Sequence, residues 1–80
     1  IPLTVHVPLA EVPRLLSAEL IAHKARIVAA GLRRDFGVLS PRLAIAALNP
    51  HAGEGGQFGD EEARIITPAI ATLQAEGIAA

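Results

Sequence analysis

The chain has no cysteine, methionine, tryptophan or tyrosine, and only two phenylalanines among its 80 residues. Without cysteine it can form neither a disulfide framework nor a thiolate zinc site, the staples on which small domains commonly rely. With two aromatic residues it has no stacking platform for unpaired bases. Charge of either sign is scarce as well. Seven Lys and Arg against eight Asp and Glu leave a net charge of −1. Arg33-Arg34 is the one adjacent basic pair, so no electrostatic footprint for duplex nucleic acid exists. No apolar run approaches the ~20 residues of a transmembrane helix. The first residues lack the basic stretch and apolar core of a signal peptide. These absences predict no nucleic-acid partner, no membrane and a cytoplasmic setting.

What the chain does have is apolar bulk: 51% hydrophobic residues and only 19% charged, with a mean hydropathy of +0.43. A free domain of this size buries only about 60–65% of the surface its unfolded chain exposes. An interior-like composition on so short a chain predicts an internal segment of a larger protein, or a subunit that covers much of itself with a partner. The start at Ile1, inside an alternating apolar run and without an initiator Met, agrees with that expectation. Residues 1–80 are therefore expected to be one partial domain.

Periodicity predicts the elements. In Ile1–His6, Leu3 and Val5 alternate with Thr4 and His6, which predicts a short strand with Pro2 at its start. Val7–Leu16 carries Pro8 and Pro13 and predicts a loop with one helical turn, Pro13 standing in its first turn. Ser17 is a good N-cap, Glu19 suits the first turn, and Gly37 a stop, so a helix is predicted from Ser17 to near Phe36. Its apolar stripe is Ile21, Ala25, Val28, Leu32 and Phe36, with Leu20 and Ile27 beside it. Glu19, His23, Arg26 and Arg33 form the polar side. Arg42–Leu48, between Pro41 and Asn49-Pro50, is apolar without alternation. That pattern predicts a strand covered on both faces, as in a parallel sheet. Residues 49–59 are a glycine-rich loop. Asp60 is the expected N-cap of a last helix whose face is Ile66, Ile70 and Leu73, kinked at Pro68 and closed by Gly77. Ile78–Ala80 is expected to begin a third strand. The fold class is α/β, a β-α-β-α segment with no internal repeat.

Parallel strands joined by a crossover end at one edge of the sheet, where open α/β sheets bind ligands. His6 ends the first predicted strand and His51 follows the second by three residues. Their separation, 51 − 6 = 45 residues, is one strand–helix–strand period. Strand spacing then sets the two imidazoles about 5 to 10 Å apart at their roots, close enough to share a divalent ion. Two histidines alone make an incomplete site, and a histidine at a strand end also serves as an ordinary surface or hydrogen-bonded residue. His23, four residues after Glu19 in mid-helix, is expected to be solvated and without function. The glycine-rich loop does not fit a phosphate cradle: Phe58 stands where a G-x-G-x-x-G starting at Gly53 needs glycine, the loop has no lysine, and Glu54, Asp60, Glu61 and Glu62 make it acidic. It reads equally as a turn that presents His51. The two Ser and three Thr have no adjacent organised His, so no nucleophile–base pair is expected, and no catalytic residue is assigned.

The segment L-N-P-H-A-G-E-G-G (Leu48–Gly56), followed by Phe58-Gly59 and Glu61-Glu62, closely resembles the signature of the 4-hydroxythreonine-4-phosphate dehydrogenase family of vitamin B6 synthesis. T-V-H-V-P-L (Thr4–Leu9) is similar to that family's T-H-x-P-L, with Val5 inserted. D-F-G at 35–37 and I-I-T-P-A-I at 65–70 also fit its pattern. Gln57 stands where the family often carries His. The resemblance implies a two-domain enzyme of three-layer α/β/α architecture, like the isocitrate and isopropylmalate dehydrogenases, of which residues 1–80 are the metal-binding segment. It implies an NAD(P)-dependent, metal-dependent oxidation of 4-hydroxy-L-threonine phosphate and decarboxylation to 3-amino-2-oxopropyl phosphate. It implies a homodimer with a Zn, Mg, Mn or Co ion at the interface, held by three histidines of which His6 and His51 match two. The 80-residue piece alone is expected to be inactive. Two other readings stay open: a related metal-dependent dehydrogenase acting on a dihydrodiol dicarboxylate or a sugar-acid phosphate, and a truncated non-catalytic chain.

Overall fold

Ser17 starts the longest element. Its backbone is extended (φ −147°, ψ 156°) and its Oγ accepts the Leu20 N–H at 3.0 Å, which satisfies one of the orphan amides of the first turn. In the computed structural model, which describes residues 1–57 and 59–80, this helix is preceded by a 3-10 turn (Leu9–Glu11) and a four-residue helix, α1 (Val12–Leu15), with Pro13 in its first turn. The helix itself, α2 (Ala18–Phe36), ends where Gly37 turns left-handed at φ 68° and Val38 N–H bonds the Leu32 carbonyl at 3.0 Å. Phe58, part of the family-like Phe58-Gly59 pair, lies outside the described residues.

The last helix differs from the sequence expectation in an instructive way. Asp60 stands at its start, its carbonyl accepting the Arg64 N–H at 2.9 Å, but its carboxylate accepts from Arg64 Nε at 3.3 Å and not from a first-turn amide. Glu62–Ile66 forms a π-helical turn and α3 (Thr67–Ala75) follows it. Pro68 has no N–H for the Arg64 carbonyl, and its ring crowds that carbonyl. The chain relieves the clash by widening the preceding turn, so that the Thr67 N–H reaches back five residues to Glu62 O. The expected disturbance at Pro68 is thus a π turn on its N-terminal side. At the far end Gly77 (φ 84°) makes a Schellman closure, with Ile78 N–H on Leu73 O and Gly77 N–H on Gln74 O, both 3.0 Å.

The core is two small clusters along α2. Leu16, Ile21, Ile65, Ile66 and Ala69 form the first, and Ala22, Ala25 and Leu73 the second. Leu3, Leu43, Ile45, Leu48 and Ile78 pack onto them from the extended segments. The predicted α2 stripe holds only at its N-terminal end. The buried residues are Ile21, Ala22, Ala25 and Ala29, while Phe36 is 77% exposed. The small alanines let α3 approach closely, and α3 is too short to reach the C-terminal turns of α2.

The predicted strands require the main correction. Among the described residues no strand forms at Ile1–His6, Arg42–Leu48 or Ile78–Ala80; a single parallel bridge pairs Arg42 with Ala79, with Leu43 N–H on Ala79 O at 2.8 Å. Among the described residues that is the only backbone–backbone hydrogen bond of Arg42–Leu48, and Ile1–Val7 make none. A strand is defined by its partner's ladder, and these segments find no such partner in each other. Nor is Arg42–Leu48 covered on both faces. Leu43, Ile45 and Leu48 are half-buried toward the helices, whereas Ala44, Ala46 and Ala47 are exposed.

Candidate functional site

The two candidate histidines sit where the backbone is forced into unusual shapes. His6 lies at the bend that ends the first segment, exposed, with φ 55°. It makes no hydrogen bond among the described residues. His51 lies in the turn after Leu48, and Ala52 (φ 49°) and Glu54 (φ 43°) follow it in a 3-10 turn (Ala52–Gly56). These three are the non-glycine residues of positive φ among those described. Each such conformation costs an L-residue roughly 1–2 kcal/mol. Strain of this kind persists only where surrounding contacts over-determine the backbone, and it gathers at functional sites. Here it falls on one candidate ligand and on both sides of Gly53 beside the other.

Side chains and the neighbouring turn hold the His51 loop. Asn49 Oδ1 accepts the His51 N–H at 2.9 Å, an Asx turn that sets the approach. Ala52 N–H bonds Asn49 O at 3.1 Å and Glu54 N–H bonds His51 O at 2.9 Å. The Glu54 carboxylate reaches His51 Nδ1, 2.7 Å away. At the root of the loop the Leu48 N–H donates to Glu62 Oε1 at 3.1 Å, tying it to the π turn. Glu62 Oε2 is buried and has no hydrogen-bond partner. Sequence reasoning read Glu54 and Glu62 as acidic charges and as parts of the signature, and gave neither a partner. The signal available was their spacing: Glu54 stands three residues after His51, one turn away.

The donor set suits a divalent ion of the kind imidazole binds, and one imidazole is backed by a carboxylate, as metal-ligating histidines commonly are. It is only a partial set. Among the described residues no group of three or more His, Cys, Asp or Glu converges as a cage. His23 is exposed on α2 and has no polar partner, as expected of a solvated position.

A cavity of about 620 Å³ lies elsewhere. It runs between Ile1–Thr4 and Arg42–Leu48, with Ile21, Ala25 and Val28 of α2 along it. Neither candidate histidine lines it; Thr4, Lys24 and Arg42 are its polar lining residues. It is the gap between two extended segments that do not pair. No helix among the described residues is long and apolar enough to cross a membrane.

Comparison with known proteins bears on the loop directly. The family model for pyridoxal phosphate biosynthetic protein PdxA matches residues 1–80. The 4-hydroxythreonine-4-phosphate dehydrogenase of Erythrobacter litoralis (strain HTCC2594) is 64% identical over 80 residues, which cover all of this chain and 24% of that protein. The enzyme of the same name from Paracoccus denitrificans (strain Pd 1222) is 54% identical over 77 residues, 96% of this chain and 24% of its own length. A crystal structure of 4-hydroxythreonine-4-phosphate dehydrogenase from Klebsiella pneumoniae superposes with a TM-score of 0.89 at 42% identity, over 95% of this chain and 23% of the other. The chain thus spans about a quarter of the length of the relatives it matches.

Proposed function

The chain belongs to the PdxA family of pyridoxal phosphate biosynthetic proteins, and from that membership we propose that it is the metal-holding segment of a 4-hydroxythreonine-4-phosphate dehydrogenase. In this reading His6 and His51 are two of the ligands of a divalent metal, and the remaining ligands, the NAD(P) contacts and most substrate contacts lie on other parts of a family-length protein. The whole enzyme is a cytoplasmic homodimer with the metal at its interface, and its sheet is the middle of an α/β/α sandwich to which the extended segments of this chain contribute strands.

The observation that carries the reading is the placement of backbone strain at His6 and around His51. A surface histidine of no function needs no such shape, whereas a ligand must be aimed. The reaction is the oxidation of a secondary alcohol. The carbinol carbon gives a hydride to NAD(P)+, the hydroxyl gives up its proton, and the β-keto acid then loses CO2 to leave 3-amino-2-oxopropyl phosphate. The metal, when bound, supplies Lewis-acid polarisation of the substrate oxygens. This chain's own part is to present two imidazoles, one on the loop and one at the bend. Gln57, where the family often carries His, favours as second reading a relative acting on another hydroxy acid.

The test uses His6→Ala, His51→Ala and His23→Ala in a family-length enzyme carrying this segment, with metal content per protomer and the rate of NAD reduction measured together. The first two variants are expected to lose metal and activity with fold retained, since both imidazoles are exposed and their removal opens no core cavity. His23→Ala is expected to keep both. A His51 variant that retained metal and rate would overturn the assignment.

A further inference from the structure

We propose that Glu54 is a positioning residue, whose carboxylate accepts a hydrogen bond from His51 Nδ1–H and so makes Nε2 the nitrogen that ligates. This rests on the metal reading of His51 and deepens it. A carboxylate only accepts hydrogen bonds, so an imidazole nitrogen 2.7 Å from Glu54 Oε1 carries the proton. In the neutral ring the other nitrogen, Nε2, then holds the lone pair that a metal requires. The backbone serves the same end. Glu54 is held left-handed at φ 43°, and its N–H closes on His51 O at 2.9 Å. The resulting tight turn places the carboxylate beside the ring three residues back. An exposed glutamate with no such role would gain nothing from a conformation that glycine adopts freely.

Two substitutions separate the carboxylate from the turn. Glu54→Gly suits the left-handed backbone and removes the acceptor. Glu54→Gln keeps an acceptor oxygen at the same reach. The first measurement is the tautomer of the His51 and His23 rings, read from long-range proton–nitrogen correlation spectra of a 15N-histidine-labelled family-length enzyme carrying this segment, above the range in which imidazole protonates, ~6.5. His23, exposed and without a polar partner, is the internal reference. His51 is expected to be mainly the Nδ1–H tautomer in the wild type and in Glu54→Gln, and to match His23 in Glu54→Gly. The second measurement is titration with Zn²⁺ alone, where Glu54→Gly is expected to bind about 10–100-fold more weakly at unchanged circular dichroism. A His51 tautomer that matches His23 in the wild type, or that ignores Glu54→Gly, overturns the proposal. So does undiminished Zn²⁺ affinity in Glu54→Gly when His51→Ala has lost it, an outcome that leaves the metal reading standing. If His51→Ala binds Zn²⁺ as the wild type does, the metal reading itself fails.

Discussion

Glu62 shows how much one side chain can decide about a loop. One carboxylate oxygen holds the Leu48 N–H at 3.1 Å, and the other is buried without a partner. Leu48 lies three residues before His51, so this bond anchors the loop where it leaves the core. Removing the acceptor leaves a half-buried amide unsatisfied, at a cost of about 1–2 kcal/mol. Glu62→Ala is therefore expected to lower the midpoint of chemical denaturation. Glu62→Gln, which keeps an acceptor and removes a poorly solvated charge, is expected to match or exceed the wild type. An unchanged midpoint in Glu62→Ala would mean that the tether contributes nothing. The sequence places Glu62 in the first turn of a helix, where a carboxylate is ordinary. That it turns back to the loop depends on where Leu48 lies, and no local pattern reports that.

Between elements, α2 and α3 meet through alanines and are fastened at the rim by one ion pair. Arg26 Nε and a terminal guanidinium nitrogen donate to the two oxygens of Glu76, at 2.7 and 2.5 Å. The hydrogen bonds from Arg26 hold the Glu76 carboxyl below the usual carboxylate range. A carboxyl depressed in the folded state stabilises it above the unfolded value, about 4.3, and loses that contribution as pH falls through the folded value. The thermal midpoint of the wild type is thus expected to fall more steeply than that of Glu76→Gln below about pH 4.5, with the two curves converging in acid. Both partners are substantially exposed, so added salt is expected to shrink the gap at neutral pH. Parallel curves at all pH values would show the pair to be idle. The 3.6-residue pattern made α2, its Ser17 cap and its Gly37 stop legible beforehand. It overstated the buried stripe, because the pattern records which residues are apolar, and the length of α3 decides which of them are covered.

For the whole molecule the apolar composition outruns the core. Among the described residues four of the nine buried hydrophobic ones are alanines, while Ile1, Leu9, Phe36 and Leu39 are each more than three-quarters exposed. The radius of gyration is 13.3 Å, against about 12 Å for a well-packed chain of this length. Ile1–Val7 and Arg42–Leu48 carry largely unpaired backbone beside an apolar cleft, the condition under which strand edges recruit other chains. The isolated 80-residue chain is expected to self-associate and to unfold with low cooperativity. Sedimentation velocity across a range of concentrations checks this, and Ala46→Lys, a charge on an exposed position of the open segment, is expected to reduce the association. A concentration-independent monomer with a sharp, high melting transition would contradict it.

Local chemistry wrote part of this protein into its sequence. The Ser17 cap, the left-handed glycines at 37 and 77, the disturbance at Pro68 and the placement of histidines after two apolar segments all follow from neighbours within a few residues. The signature Leu48–Gly56 carried the family as well. Tertiary structure decided the rest. Whether Arg42–Leu48 is a strand depends on partners distant in sequence, and among the described residues only Ala79 answers. Whether Asp60 caps a helix or pairs with Arg64, whether Glu76 is solvated or clamped by Arg26, and whether Glu54 faces water or His51 are competitions between alternatives of similar energy. Such competitions are settled by which groups the fold brings within hydrogen-bond reach, and a linear sequence does not contain those distances.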